Sequence, residues 1–159
     1  MAHGDAQLAP LMPTLVITIP GKPYGKPSVA RTRDGQRYTP KEVKDYYRAV
    51  AWLVADAWRG AGVVLPMVAP VVSIVALMPR PQKKPKGYPL IWTEGRNPCL
   101  TAPDNDNVCK IVNDSLTRAN VWRDDRLVSG LTCLKLYAGA GEEPATLVHI
   151  SDLVTLDAG

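Results

Sequence analysis

Nine residues near the middle of the chain, PVVSIVALM from Pro70 to Met78, constrain the fold more than any others. Their apolar positions are nearly continuous over a length short for a helix, so they read as a strand buried on both faces. Such a strand needs partners on either side and cover above and below. TLVITI from Thr14 to Ile19, β-branched, partly alternating and closed by Pro20 and Gly21, reads as a further strand. Near the end of the chain, RLVSGLTCLKLY and ATLVHISDLV read as two more, joined by the glycine-containing turn AGAGEEP.

Two segments carry helical periodicity instead. TPKE at Thr39–Glu42 offers a hydroxyl N-cap, proline in the first helical position and glutamate three residues after the cap, which is a capping box. Val43, Tyr47, Val50, Val54 and Ala57 then keep helical spacing until Gly60 and Gly62, which predicts an amphipathic helix ending near Arg59 and packed on a sheet. A second helix is predicted from Asn107 to about Arg118, burying Val108, Ile111, Val112, Ser115 and Leu116. The order strand, helix, strand, helix, strand, strand gives an α+β domain with one mixed sheet of about four strands and two main helices. With 159 residues and 46% hydrophobic content there is material for one core. No internal repeat is visible. Residues 1–13, rich in Ala and Pro and carrying His3, read as a disordered leader before a domain spanning 14–159.

Composition narrows the function classes. Lys+Arg 19 against Asp+Glu 15 gives a net charge of +4 and favours a polyanionic partner, nucleic acid first. Pro66, Pro70 and Pro79 interrupt the most apolar region, so no membrane span is expected. The first residues lack the basic start and apolar run of a signal peptide. Cys99, Cys109 and Cys133 are odd in number and widely spaced, with no C-x-x-C pair and no nearby histidine, and read as free thiols in a reducing cytoplasm. There is no Ser/His/Asp or Cys/His hydrolase pattern and no phosphate-binding glycine loop, so no small-molecule cofactor is expected.

The positive charge is concentrated in two loops. GKPYGKPSVARTRDGQR carries Lys22, Lys26, Arg31, Arg33 and Arg37; the proline-rich PRPQKKPKGYPLIWTEGRNP carries Arg80, Lys83, Lys84, Lys86 and Arg96 and reads as mobile. Lys22, Lys26, Arg31, Arg33, Lys83, Lys84, Lys86 and Arg96 are the candidate DNA contacts, each weighed against ordinary solvated charge. Tyr88 and Trp92 lie among them and could stack on exposed bases or simply pack. Trp52, Trp58 and Trp122 read as core or dimer contacts, and His149 as an ordinary strand histidine.

Against this basic background, APDNDNVCKIVNDSLTRANVWRDD crowds Asp104, Asp106, Asp114, Asp124 and Asp125 into one segment. Carboxylates this close repel unless a cation lies between them. Asp104 and Asp106 stand two apart where a helix starts, and one of Asp124 or Asp125 could return to them once the helix ends. A hard cation such as Mg²⁺ takes such oxygen ligands and keeps several waters, and a metal-dependent phosphodiesterase needs that arrangement. Lys110, one turn past Asp106, is placed to meet a phosphate or orient a water. The competing reading is structural: Asp at a helix start caps it, and Asp-Asp before a strand is turn chemistry. Spacing alone leaves both open. An EF-hand is excluded, because Cys109 and Ser115 stand where its Gly and Glu belong, counting from Asp104.

PDNDNVCKIVNDSL followed by VWRDDRLV resembles the RusA family of Holliday junction resolvases, whose pattern is D-x-D-N-x-x-K-x-x-x-D-x-L and then D-D before a hydrophobic strand. ITIPGKPYGKP, RYTPKEVKDY and the basic loop before Pro103 resemble its more divergent, phage-type members. The resemblance implies a homodimeric, Mg²⁺-dependent endonuclease, with Mn²⁺ as a substitute ion, that cuts four-way DNA junctions in paired symmetric incisions during recombination and repair. It makes Asp104, Asp106 and Asp125 the metal ligands, Lys110 the catalytic lysine, and Asp114 and Asp124 supporting residues. Asn105 stands where the family commonly has an apolar residue. Two alternatives remain beside it: a nuclease acting mainly on forks or flaps, and a non-catalytic branched-DNA-binding protein whose acids are caps and turns.

Overall fold

The computed structural model describes residues 14–28 and 30–153, so the expected leader at 1–13 lies outside the described residues. In chain order the elements are β1 (Thr14–Pro20), β2 (Ala30–Arg31), β3 (Arg37–Tyr38), α1 (Lys41–Trp58), β4 (Pro70–Met78), β5 (Asn97–Pro98), α2 (Asn105–Arg118), β6 (Gly130–Tyr137) and β7 (Ala145–Asp152), with a 3-10 turn at Asp125–Leu127. The α+β expectation holds. The sheet order is β1-β7-β4-β6-β5, and the short β2 and β3 form a separate hairpin inside the first basic loop. The sheet is mixed because β4 and β6 run parallel while the other pairs are antiparallel. Parallel neighbours require a long crossover, and the stretch containing α2 supplies it.

β4 is the central strand, but only one of its faces is fully covered. Val72, Ile74 and Ala76 are buried toward the helices, whereas Val71 and Val75 are half-buried and Ser73 is exposed on the other side. The expectation of burial on both faces is therefore corrected: α1 packs against β1 and α2 against β6, on one side of the sheet. Leu15, Ile17, Ile19, Val148 and Ile150 complete the sheet's contribution to that core. Val43, Val50 and Val54 of α1 and Val108, Ile111, Val112 and Leu116 of α2 answer from the helices, as their periodicity predicts.

Three local expectations also change. The capping box at TPKE does not form: Pro40, at φ −53° and ψ 152°, stands outside the helix as its N-cap, and no side chain caps it. The turn at 138–144 is not a hairpin, since β7 pairs with β1 and β4 and the connection crosses the end of β4 to reach them. β6 starts at Gly130 rather than at Arg126, because the residues ahead of it wind into the 3-10 turn. Among the described residues no helix is long and apolar enough to cross a membrane.

Candidate active site

α2 begins at Asp104, whose extended backbone (φ −64°, ψ 142°) lets its carbonyl accept from the Asn107 and Val108 amides at 3.1 and 3.2 Å. Its carboxylate makes no cap bond. Capping therefore does not account for Asp104, which presents an exposed acid at the positive end of the helix. Asp124 does follow the structural reading: its Oδ1 accepts from the Arg126 amide at 3.0 Å and caps the 3-10 turn, and that bond holds its carboxyl below the usual carboxylate range.

One face of α2 carries Asp106, Lys110 and Asp114 at four-residue spacing. Lys110 Nζ donates to Asp106 Oδ2 at 2.8 Å, both side chains being largely exposed. This hydrogen bond lowers the Asp106 pKa and raises that of Lys110, so acid and amine stay oppositely charged. Asp114 is taken up by Lys26, which crosses from the first basic loop. That loop is fastened alongside α2: the Lys26 amide donates to the Asn107 carbonyl at 2.9 Å. Gly25 makes the approach possible, because a Cβ there would stand 2.7 Å from the Pro103 Cβ.

The reversal of the chain after α2 has a local cause. Asn120 adopts a left-handed conformation (φ 59°). The Val121 and Asn120 amides then donate back to the carbonyls of Leu116 at 3.1 Å and Thr117 at 3.0 Å. This is a Schellman end, and it reverses the chain so that fully buried Trp122 anchors in the core and the 3-10 turn bearing Asp125 lies against α2.

Two residues that sequence reasoning did not assign as positioning groups hold the front of this site. Lys135 of β6 donates from Nζ to the carbonyls of Thr101 and, at 2.6 Å, Pro103, fastening the turn that leads into Asp104. Asn105 docks on the same strand: its Nδ2 donates to the Cys133 carbonyl at 2.9 Å and its Oδ1 accepts from the Cys133 thiol at 3.2 Å. Asn105 thus satisfies a strand-edge carbonyl. Burial pushes the Cys133 thiol up to about 12, so it serves as a donor and not as a nucleophile.

The acids are assembled along α2 and beside it, but among the described residues no three carboxylate, His or Cys side chains converge as a ready metal-ligand group. Asp106 is turned onto Lys110 instead. The donor chemistry nevertheless fits a hard cation, since Asp104, Asp106 and Asp125 offer only oxygen and are all exposed.

The remaining candidates divide by partner. Lys22, Arg31, Arg33, Lys83, Lys84 and Lys86 are exposed. Arg96 is held by Glu142 at 2.5 Å, a pair that draws the Glu142 carboxyl down to about 2. Arg80 is structural, donating to the carbonyls of Thr93, Gly95 and Ala138 and lying 4.6 Å over the Trp92 ring. Trp92 itself packs edge-on against Tyr88 and Tyr137, with centroids 5.3 and 5.7 Å away, in a second small core with Met78 and Cys99. The aromatic pair of the second basic loop therefore packs. Trp52 and Trp58 are exposed and Trp122 is fully buried, while His149 is exposed on its strand. All three cysteines are free.

A family model for endodeoxyribonuclease RusA matches residues 20–151. The chain belongs to the RusA family. The match runs from the end of β1 to the penultimate residue of β7, so both helices and every acid of the candidate site lie within it, while nearly all of β1 precedes it. It makes the chain a member of a family of DNA-cutting enzymes, in keeping with its basic loops and its acidic helix face. A search of curated proteins found no match.

Proposed function

We propose that this RusA-family chain is a structure-selective endodeoxyribonuclease that resolves four-way DNA junctions by paired phosphodiester hydrolysis. The observation that carries the reading is the family match across 20–151, together with an uncapped Asp104 and an Asp106–Lys110 pair at the start of α2. Asp104, Asp106 and Asp125 would hold Mg²⁺, or Mn²⁺ in its place. A divalent ion there supplies a water of lowered pKa and neutralises charge developing on the phosphate. Lys110, kept protonated by Asp106, donates an N–H to a phosphate oxygen. Asp124 sets the turn that carries Asp125, and Asp114 orients Lys26. Exposed Lys22, Arg31, Arg33, Lys83, Lys84 and Lys86 follow the phosphates of the arms, while Arg96 reaches them only by sharing its charge with Glu142.

Paired incisions on a two-fold junction require two sites related by a two-fold axis, so the active form is a homodimer. It works in the cytoplasm of a bacterial cell, encoded by the host, a phage or a prophage. A second reading, a branched-DNA-binding protein without catalysis, is favoured by the lack of a convergent three-carboxylate group among the described residues. Incubation with a synthetic four-way junction, a fork and a linear duplex in Mg²⁺ tests the choice. Symmetric nicks on the junction support resolution, preferential fork cleavage moves the substrate class, and tight junction binding without cleavage in either ion supports the binder.

A further inference from the structure

A cavity of ≈ 300 Å³ opens between the first basic loop, the start of α1 and the far half of α2. Lys26, Arg37 and Arg118 bring three cations to its wall, and Asp114 brings the one carboxylate. Asp114 is already engaged with Lys26. Among the described residues neither Arg37 nor Arg118 has a carboxylate partner. Arg118 is nonetheless held in place, because its guanidinium lies 4.5 Å over the Tyr47 ring. Stacking fixes the plane of an arginine while leaving its N–H edge for an anion.

Two charged groups without counter-ions, facing one solvent-open cavity, fit an oxyanion with several acceptors. We propose that this cavity binds a backbone phosphate of the DNA strand that occupies the candidate active site. The proposal rests on the nuclease reading for the identity of the strand, and on the cavity itself for the site. Its position supports a polyanion over a small free anion. Asp114 and Asp106 lie on the same face of α2, eight residues and therefore about 12 Å apart, the axial length of roughly three to four nucleotides. A strand running along α2 reaches Lys110 and the cavity together. Lys26 links the two ends, since its backbone is bonded to Asn107 beside the acids while its ammonium stands at the cavity wall. Arg37 and Arg118 thereby join the DNA-contacting residues, and Asp114 is a positioning residue that holds Lys26 at the wall without meeting the metal.

The test is the salt dependence of binding to a synthetic four-way junction, followed by fluorescence anisotropy with a chelator present so that cleavage plays no part. Each phosphate neutralised contributes about 0.9 to the slope of log K against log salt. The double variant Arg37→Gln/Arg118→Gln is expected to show a slope shallower by about 0.9. Across a fourfold rise in salt the wild type then loses roughly threefold more affinity than the variant. Arg37→Lys/Arg118→Lys should restore the slope, which a purely structural role would not produce. Arg59→Gln, at the other end of α1, should leave it unchanged, and Arg37→Gln alone guards against loss of packing at Tyr47. An unaltered slope in the double variant, with wild-type binding intact, overturns the phosphate site and leaves the nuclease reading standing. A shallower slope in a protein that cleaves no junction keeps the site and removes the nuclease. Failure of the wild type to bind the junction at all overturns both.

Discussion

Replacing Lys135 by Met removes an ammonium while keeping an unbranched stem of similar length, so the loss can be assigned to two hydrogen bonds. Lys135 Nζ reaches the carbonyls of Thr101 and Pro103, and no other cation is near enough to substitute among the described contacts of that turn. Hydrogen bonds from charged donors contribute about 1.5–3 kcal/mol each when buried. Lys135 is half-buried, which places the pair together at about 2–3 kcal/mol. For a chain of this size that lowers Tm by roughly 4–12 °C, measurable by circular dichroism. The effect should be local as well as global: amides of residues 101–104 should exchange faster while those of β4 and β7 keep their relative protection. Cleavage should fall further than stability, since a displacement of about 1 Å at Asp104 costs on the order of a hundredfold in rate. An unchanged Tm with unchanged exchange at 101–104 would refute the assignment of Lys135 as the residue that positions the start of α2.

Other outcomes follow from the same contacts. Gly25→Ala would drive a Cβ to 2.7 Å from the Pro103 ring; a loss of about 1–3 kcal/mol is expected in chemical denaturation, together with weaker junction binding as Lys26 is displaced. Trp122→Ala empties the largest fully buried side-chain site and breaks the 2.7 Å bond from Nε1 to Thr117 Oγ1; a cost of about 3–5 kcal/mol should appear as a lowered denaturation midpoint. The Glu142 carboxyl sits at about 2 in the fold against an ordinary 4.5. A depressed folded pKa contributes stability that is complete above the ordinary value and is lost as pH falls toward the folded one. The Tm difference between wild type and Glu142→Gln, about 1 kcal/mol in energy after solvent screening, should therefore shrink steadily as pH is lowered from above 4.5 toward about 2.

The parts of this molecule that a sequence reader can reach are those written in local period. The α2 face of Asp106, Lys110 and Asp114 is fixed by four-residue spacing, and the buried valines of α1 by the same rule. Contacts that join distant segments leave no such trace. Lys135 lies more than thirty residues from the two carbonyls it holds, and Asn105 is 28 residues from the Cys133 backbone it meets. The placement of β7 between β1 and β4, away from the strand that precedes it, is another pairing of distant segments. TPKE misleads for a different reason, since the box pattern is present in the letters but Pro40 takes ψ 152° and starts the helix one residue late. In the acidic segment, local chemistry separates Asp124, which caps a turn, from Asp104, which does not, and only coordinates draw that distinction.

The most direct test of the central claim is Mg²⁺-dependent cleavage of a synthetic four-way junction by wild type and Asp106→Asn side by side, with a chelator control. Paired symmetric nicks from the wild type, abolished by the chelator and by the substitution while junction binding persists, are the predicted result. Undiminished cleavage by Asp106→Asn would contradict the site, and tight binding without cleavage by the wild type in Mg²⁺ or Mn²⁺ would contradict the enzyme.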